Sequence, residues 1–171
     1  MPAFSIRPAV PADVAAIARI YGHAVENGTA SFELSPPDEA EMGRRLAALR
    51  HGGFPYLVAD LGGLVVGYAY AGPYRPRAAY RYTVEDSVYI DPAMHRRGIG
   101  RVLLDRLIAE AEQGGFRQMI AVIGDSEQMA SIELHRAAGF RPVGTIESVG
   151  YKFDRWLDTV VMQRAIGRGA D

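Results

Sequence analysis

Two adjacent glycines in the middle of the chain constrain its fold more than any other feature. Gly62 and Gly63 separate PYLVADL from LVVGYAYAG, two apolar and β-prone runs. A two-residue loop in which both residues can take positive φ closes an antiparallel hairpin. A third run of the same kind, YTVEDSVYID, follows. Upstream, Val14, Ile17, Ala18, Tyr21 and Val25 recur at helical spacing after Pro11. DEAEMGRRLAALRHGG makes a second helix, with acids in its first turn, bases in its last and a glycine stop. FSIRPA reads as a short strand before the first helix, and ENGTASFELSPP as the loop between the two.

Downstream of the third strand, Ile99, Val102, Leu103, Leu107, Ile108 and Ala111 predict a long helix ended by Gly114-Gly115. Next come the strand QMIAVIG, the helix SEQMASIELHRAAGF, and two strands, RPVGTIESVGYKF and WLDTVVMQRAI. The order is strand, two helices, three strands, helix, strand, helix, two strands. No repeat or linker interrupts it, so the expectation is one α/β domain over residues 1–171 around a mixed sheet.

Composition removes several function classes. A chain of 171 residues, 49% hydrophobic and 23% charged, can bury a proper core. Its formal net charge of −1 gives no bulk attraction to a polyanion, so no nucleic-acid partner is expected. Cysteine is absent, which excludes disulfides, thiolate metal sites and thiol nucleophiles. The four histidines are scattered and no His-Glu-x-x-His occurs, so no metal is expected. MPAFSIRPAV carries no signal-type apolar segment and no run is long enough to span a membrane. These features predict a soluble, cytoplasmic protein with no membrane partner.

The junction YIDPAMHRRGIGRVLL carries the clearest chemistry. A helix beginning near Gly98 offers unpaired backbone N–H groups and a partial positive charge to an anion. Gly98 and Gly100 keep Cβ atoms out of its way, and Arg96, Arg97 and Arg101 add charge suited to a diphosphate. The dinucleotide fingerprint fails because Leu103 stands where its third glycine belongs, and the phosphate-binding P-loop fails at Arg101 and Val102. A serine-hydrolase elbow fails as well, since Gly124-Asp125-Ser126-Glu127-Gln128 lacks the final glycine.

The turn from His95 to Gly100 resembles the pyrophosphate loop of the GNAT superfamily of N-acetyltransferases, Gln/Arg-x-x-Gly-x-Gly/Ala, with His95 in the unusual first position. Within it the chain looks like the phosphinothricin and methionine sulfoximine N-acetyltransferases from IRPA to VVMQ. YTVEDSVYIDP, ASIELHRAAGF and VGYKFDRWLD are the most specific blocks. The resemblance implies a twisted, mostly antiparallel mixed sheet of about seven strands flanked by about four helices. It also implies acetyl-CoA as co-substrate, a small-molecule amine acceptor, an amino-acid analogue with a tetrahedral phosphorus or sulfur side chain, and a homodimer.

The same resemblance assigns residues. Glu85 corresponds to the family's proposed general base, which an α-ammonium group needs before it can act as a nucleophile. Alternation puts Glu85, Ser87 and Tyr89 on one face of their strand and Val84, Asp86 and Val88 on the other. Val88, Tyr89 and Ile90 are expected to pair through their backbone with the pantetheine amides and to present an N–H to the thioester oxygen. The acetyl-CoA loop is Arg96, Arg97, Gly98, Ile99, Gly100 and Arg101. Gln128, Ser131 and His135 share one helix face towards the cofactor arm. Gln128 stands where the phosphinothricin branch commonly has Asn, and its longer amide need not meet the same group.

His135, in the position where many branches have Tyr, is expected to protonate the departing thiolate or relay the amine proton. Phe32, Arg75, Pro76 and Arg77, with Glu85, Asp86 and Ser87, are expected to line the acceptor site, the arginines suiting an anionic acceptor. Trp156, the only tryptophan, reads as a core residue. Two rival functions remain open: the same fold acting on another amine, such as a peptide N-terminus or polyamine, and a non-catalytic acyl-CoA sensor. Basic rather than acidic residues in YRPRAAYR disfavour a polyamine, and Glu85 disfavours the sensor.

Overall fold

The computed structural model describes residues 4–171. In chain order the elements are β1 (Ser5–Pro8), α1 (Val14–Asn27), α2 (Glu39–His51), β2 (Tyr56–Leu61), β3 (Leu64–Pro73), β4 (Thr83–Ile90) and α3 (Ile99–Gln113), then β5 (Gln118–Gly124), α4 (Met129–Ala137), β6 (Arg141–Lys152) and β7 (Arg155–Ala165). The strands form one seven-stranded sheet in the order β1-β2-β3-β4-β5-β7-β6. Every adjacent pair is antiparallel except β4 with β5. This is the expected mixed, mostly antiparallel α/β sheet with four helices.

The Gly62-Gly63 turn closes the β2–β3 hairpin as its composition requires. Both glycines lie at positive φ, 62° and 95°, and Gly63 donates its N–H to the Asp60 carboxylate at 2.6 Å. Alternation along β2 and β3 then builds two cores. Tyr56, Val58 and Tyr68 pack with Ile17, Ile20 and Tyr21 of α1 and with Met42 and Leu46 of α2. Leu57, Ala59, Ala69 and Ala71 face the opposite way, against Leu103, Leu104 and Leu107 of α3. Each of those fully buried leucines contributes roughly 1.5–3 kcal/mol. Both faces of the central strands are therefore dry. No helix among the described residues is long and apolar enough to cross a membrane.

Three local expectations are corrected. Pro11 opens a 3₁₀ turn over Pro11–Asp13 and α1 starts only at Val14. The last helix starts at Met129 rather than Ser126, with Gln128 at its N-cap. Trp156 is not a core residue: it is 63% exposed and meets Tyr151 edge-on at 5.1 Å. The physical reason is topological. Trp156 lies on β7 beyond its pairing with β5, which ends at Thr159 opposite Gly124, so its only strand neighbour there is the edge strand β6, at Tyr151.

Candidate active site

The site begins where the one parallel pair of the sheet comes apart. β4 and β5 are in register only from Thr83 opposite Gln118 to Asp86 opposite Ala121. β3 continues with β4 to Ile90, and β7 continues with β5 to Gly124. Ser87–Ile90 and Val122–Gly124 thus face each other across a wedge in mid-sheet, and the β4 edge there has no strand partner. Alternate residues of a strand turn their N–H and C=O groups to that side, so the edge offers a ladder to a ligand carrying amides. Val88 and Ile90 pack into the α3-side core, and Tyr89 stacks on Tyr68 at 5.4 Å. Their side chains are committed to packing, and their backbone is what the wedge presents.

At the wide end of the wedge lies the glycine turn. Gly98 is the N-cap of α3 at φ 79°, a left-handed conformation that costs a residue with Cβ about 1–2 kcal/mol. No side chain caps this helix, so its first N–H groups remain available. Arg96 and Arg97 are exposed beside it. Two expected contributors are less free. The Ile99 side chain is buried in the core, leaving only its backbone at the turn, and Arg101 donates to Asp105 at 2.7 Å. A Cβ on Gly100 would meet Leu134 at an ordinary 3.5 Å, so nothing in the protein itself demands glycine there. The His95 ring lies 3.2 Å from the Ile90 carbonyl and pins the turn to the end of β4. The residues present suit the pyrophosphate and pantetheine of acetyl-CoA.

Glu85 lies on the other face of β4, with Ser87 and Tyr89, towards α1 and the tyrosines of β3. It is half-buried. Burial raises its carboxyl pKa first, the neighbouring Asp86 charge raises it further, and Arg75 partly opposes both. The Arg75 charge thus reaches Glu85, although no hydrogen bond or ion pair joins the two among the described residues. Pro76 and Arg77 are exposed on the same loop, and no side-chain hydrogen bond or ion pair ties Arg77 to Glu85 among the described residues.

Asp86 departs from the acceptor grouping in which it was expected. Its carboxylate points to the α4 side of the sheet, where Oδ2 lies 2.9 Å from His135 Nε2. His135 Nδ1 lies 2.7 Å from the Ser131 carbonyl, which can only accept, so Nδ1 carries a proton. Burial opposes a charged ring here. The hydrogen bond to Asp86, its charge and the Ser131 carbonyl outweigh that and raise the His135 pKa. Both residues are buried, and Asp86 Oδ1 has no hydrogen-bond partner.

Phe32 sits on the α1–α2 loop, over Gly124 at the end of β5 and Gly150 near the end of β6. A Cβ at Gly150 would collide with its ring, and one at Gly124 would lie 2.6 Å from the Thr29 carbonyl. These two glycines let the loop lie down on the sheet. Sequence reading missed what holds it there. Lys152 Nζ donates to the Ser31 carbonyl at 2.8 Å, Tyr21 donates to Glu33 at 2.8 Å, and Arg45 holds Glu33 at 2.6 Å. Burial, against the attraction of Glu33, lowers the Lys152 pKa. Gln128 lines the wedge, yet its amide nitrogen lies 3.0 Å from Thr29 Oγ1. Partners separated by a hundred positions leave no local pattern. Among the described residues no group of three or more His, Asp or Glu is placed to hold a metal.

Comparison with known proteins agrees with this geometry. The model of an acetyltransferase (GNAT) domain matches residues 6–161. The chain is 55% identical over 157 residues to a phosphinothricin N-acetyltransferase of Alcaligenes faecalis, covering 92% of this chain and 80% of the relative. It is 43% identical over 159 residues to the L-methionine sulfoximine/L-methionine sulfone acetyltransferase of Salmonella typhimurium, covering 93% and 92%. The crystal structure of a phosphinothricin acetyltransferase from Sinorhizobium meliloti, in complex with acetyl-CoA, superposes with a TM-score of 0.95 at 47% identity, over 99% of this chain and 91% of that one. Open wedge, uncapped glycine turn and matched residues together place the chain in the GNAT acetyltransferase family, close to its phosphinothricin and methionine sulfoximine acetyltransferases.

Proposed function

We propose that this protein transfers the acetyl group of acetyl-CoA directly to the α-amino group of amino-acid analogues of the phosphinothricin and methionine sulfoximine type. The observation that carries the reading is Glu85: a half-buried carboxylate of raised pKa, beside Arg75, on the strand whose open edge forms one side of the wedge. Acetyl-CoA supplies an activated thioester. The β4 edge from Val88 to Ile90 binds its pantetheine amides and offers an N–H to the acetyl oxygen. The turn from Arg96 to Gly100 takes the pyrophosphate.

Glu85 accepts a proton from the acceptor's ammonium, directly or through one water. The freed amine lone pair forms the new C–N bond as the carbonyl π pair moves to oxygen. When that pair returns the C–S bond breaks, and the thiolate leaves with the electron pair and takes up the second proton, which the nitrogen loses in becoming an amide. Arg75 attracts the anionic end of the acceptor, and Phe32 bounds its apolar part. His135 has both ring nitrogens engaged, so it serves as a fixed wall of the cleft, and its proton reaches a thiolate only when the Asp86 or Ser131 bond opens.

A homodimer belongs to the same reading. Val143, Ile146, Val149, Tyr151, Phe153 and Trp156 leave an apolar band exposed along β6, β7 and their turn, and an isologous partner would bury it. The decisive experiment measures free thiol released from acetyl-CoA with phosphinothricin, methionine sulfoximine, methionine sulfone, spermidine and short peptides. Turnover with the amino-acid analogues is expected. Its absence with all of them sinks the proposal.

A further inference from the structure

Gln128 is an N-cap residue that does not cap. Its side chain makes no bond to the first turn of α4. Instead it crosses to the loop between α1 and α2, where its amide Nε2 lies 3.0 Å from Thr29 Oγ1. The direction of this bond follows from the next link. Thr29 Oγ1 lies 2.8 Å from Asp125 Oδ2, a carboxylate oxygen that only accepts, so the single hydroxyl proton is spent there. Thr29 must then accept from Gln128, which orients the amide. Gln128 also lines the wedge, and its carbonyl Oε1 makes no hydrogen bond among the described residues, so it is free to accept one.

The far end of this chain is rigid. Asp125 is buried, takes a left-handed φ of 72°, and also accepts from Arg155 at 2.7 Å and from the Glu127 N–H at 3.1 Å. Thr29 is buried too, and its loop reaches Asp125 because Gly124 has no side chain. Three residues further along that loop is Phe32, and Glu33 follows. One residue therefore bonds the loop of the acceptor side through its amide N–H and lines the donor cleft, with its carbonyl unspent.

Resting on the acetyltransferase reading above, we infer that Gln128 is a positioning residue that couples the two substrate sites. Its carbonyl accepts an amide N–H of pantetheine, which fixes the side chain, and the fixed N–H steadies Thr29 and the loop bearing Phe32. The acceptor then binds more tightly to the cofactor-loaded protein than to the free one, and by linkage the acceptor tightens cofactor binding equally. A glutamine performs both contacts at once. An asparagine, one methylene shorter, reaches the cleft or Thr29 but not both.

The test is binding rather than turnover. Methionine sulfone is titrated calorimetrically into the full-length protein, with and without saturating desulfo-CoA, which has no sulfur and cannot transfer acetyl. For the wild type the ratio of the two dissociation constants is expected to be on the order of five- to tenfold. Thr29→Val, which keeps shape and removes the hydroxyl, and Gln128→Asn are each expected to bring it towards one. A purely structural role would weaken acceptor binding equally in both states and leave the ratio unchanged, and that result in both variants overturns the inference. So does a wild-type ratio of one in protein that turns over methionine sulfone. If Thr29→Val does not fold, Gln128→Asn decides alone. Absence of both turnover and binding with every amino-acid analogue overturns the function itself and the coupling with it.

Discussion

His135 Nε2 and Asp86 Oδ2 lie 2.9 Å apart, buried between the strand that loses its partner and the helix that closes the wedge. The pair is a device of the donor cleft, on the face of β4 opposite Glu85. Removing one member leaves the other buried without its counter-charge, so Asp86→Ala is expected to destabilise by about 3–5 kcal/mol. The pH dependence has a definite sign. The folded-state pKa of His135 is raised, so the pair's stabilisation is complete below the ordinary histidine value and is lost as pH rises through the folded value. Urea unfolding from pH 5.5 to 9 checks this. A wild type whose stability rises across that window relative to Asp86→Ala contradicts the assignment.

Glu85 carries a raised pKa because burial and Asp86 disfavour its charge. A base must be deprotonated, so kcat/KM is expected to fall on the acid side at a pH above the usual carboxylate value. Glu85→Gln should remove that limb and lower kcat by roughly 10²- to 10⁴-fold near neutral pH. The deficit should narrow as the acceptor arrives already deprotonated at higher pH. An unaltered pH profile in the variant takes the base role away from Glu85.

The two glycines of the turn differ in kind. Gly98 lies at φ 79°, whereas Gly100 has ordinary φ and room for a Cβ. Gly98→Ala is expected to cost about 1–2 kcal/mol of stability and to weaken acetyl-CoA binding. Gly100→Ala should leave thermal stability as it is. Calorimetric unfolding of both variants separates backbone strain from ligand clearance.

Phe32 rests on Gly150. Gly150→Ala pushes the ring off its seat, and the acceptor KM is expected to rise, by up to about 100-fold where a displacement of 1 Å matters. The KM for acetyl-CoA should hold. Equal rises in both constants would place Phe32 outside the acceptor site.

Trp156, 63% exposed, sits in the apolar band of β6 and β7. Trp156→Glu introduces a charge at the proposed two-fold contact, and sedimentation velocity should show the dimer giving way to monomer at micromolar concentration. A wild type that sediments as a monomer refutes the dimer directly.

The layout of the fold was legible because each element announces itself locally. Gly62-Gly63 lies between β-prone runs, Ile99 to Ala111 follows helical spacing, and Gly114 ends that helix. The glycine turn was legible for the same reason: it is a short contiguous segment that opens α3 at an uncapped Gly98. Trp156 was misread because its exposure depends on β7 running past the end of its pairing with β5 at Thr159, a fact of topology that no window of residues contains.

Sequence alone determined the order of strands and helices and the glycine turn at the start of α3, since these follow from local geometry, whereas Glu85 became a candidate base through the family resemblance of its block. Only the tertiary structure decided that β4 and β5 part after Asp86, that Asp86 serves His135 rather than the acceptor face, and that Gln128 reaches Thr29. Those relationships depend on how strands far apart in the chain pair and diverge. A strand's alternation shows which residues share a face, and only its packed neighbours show what that face meets.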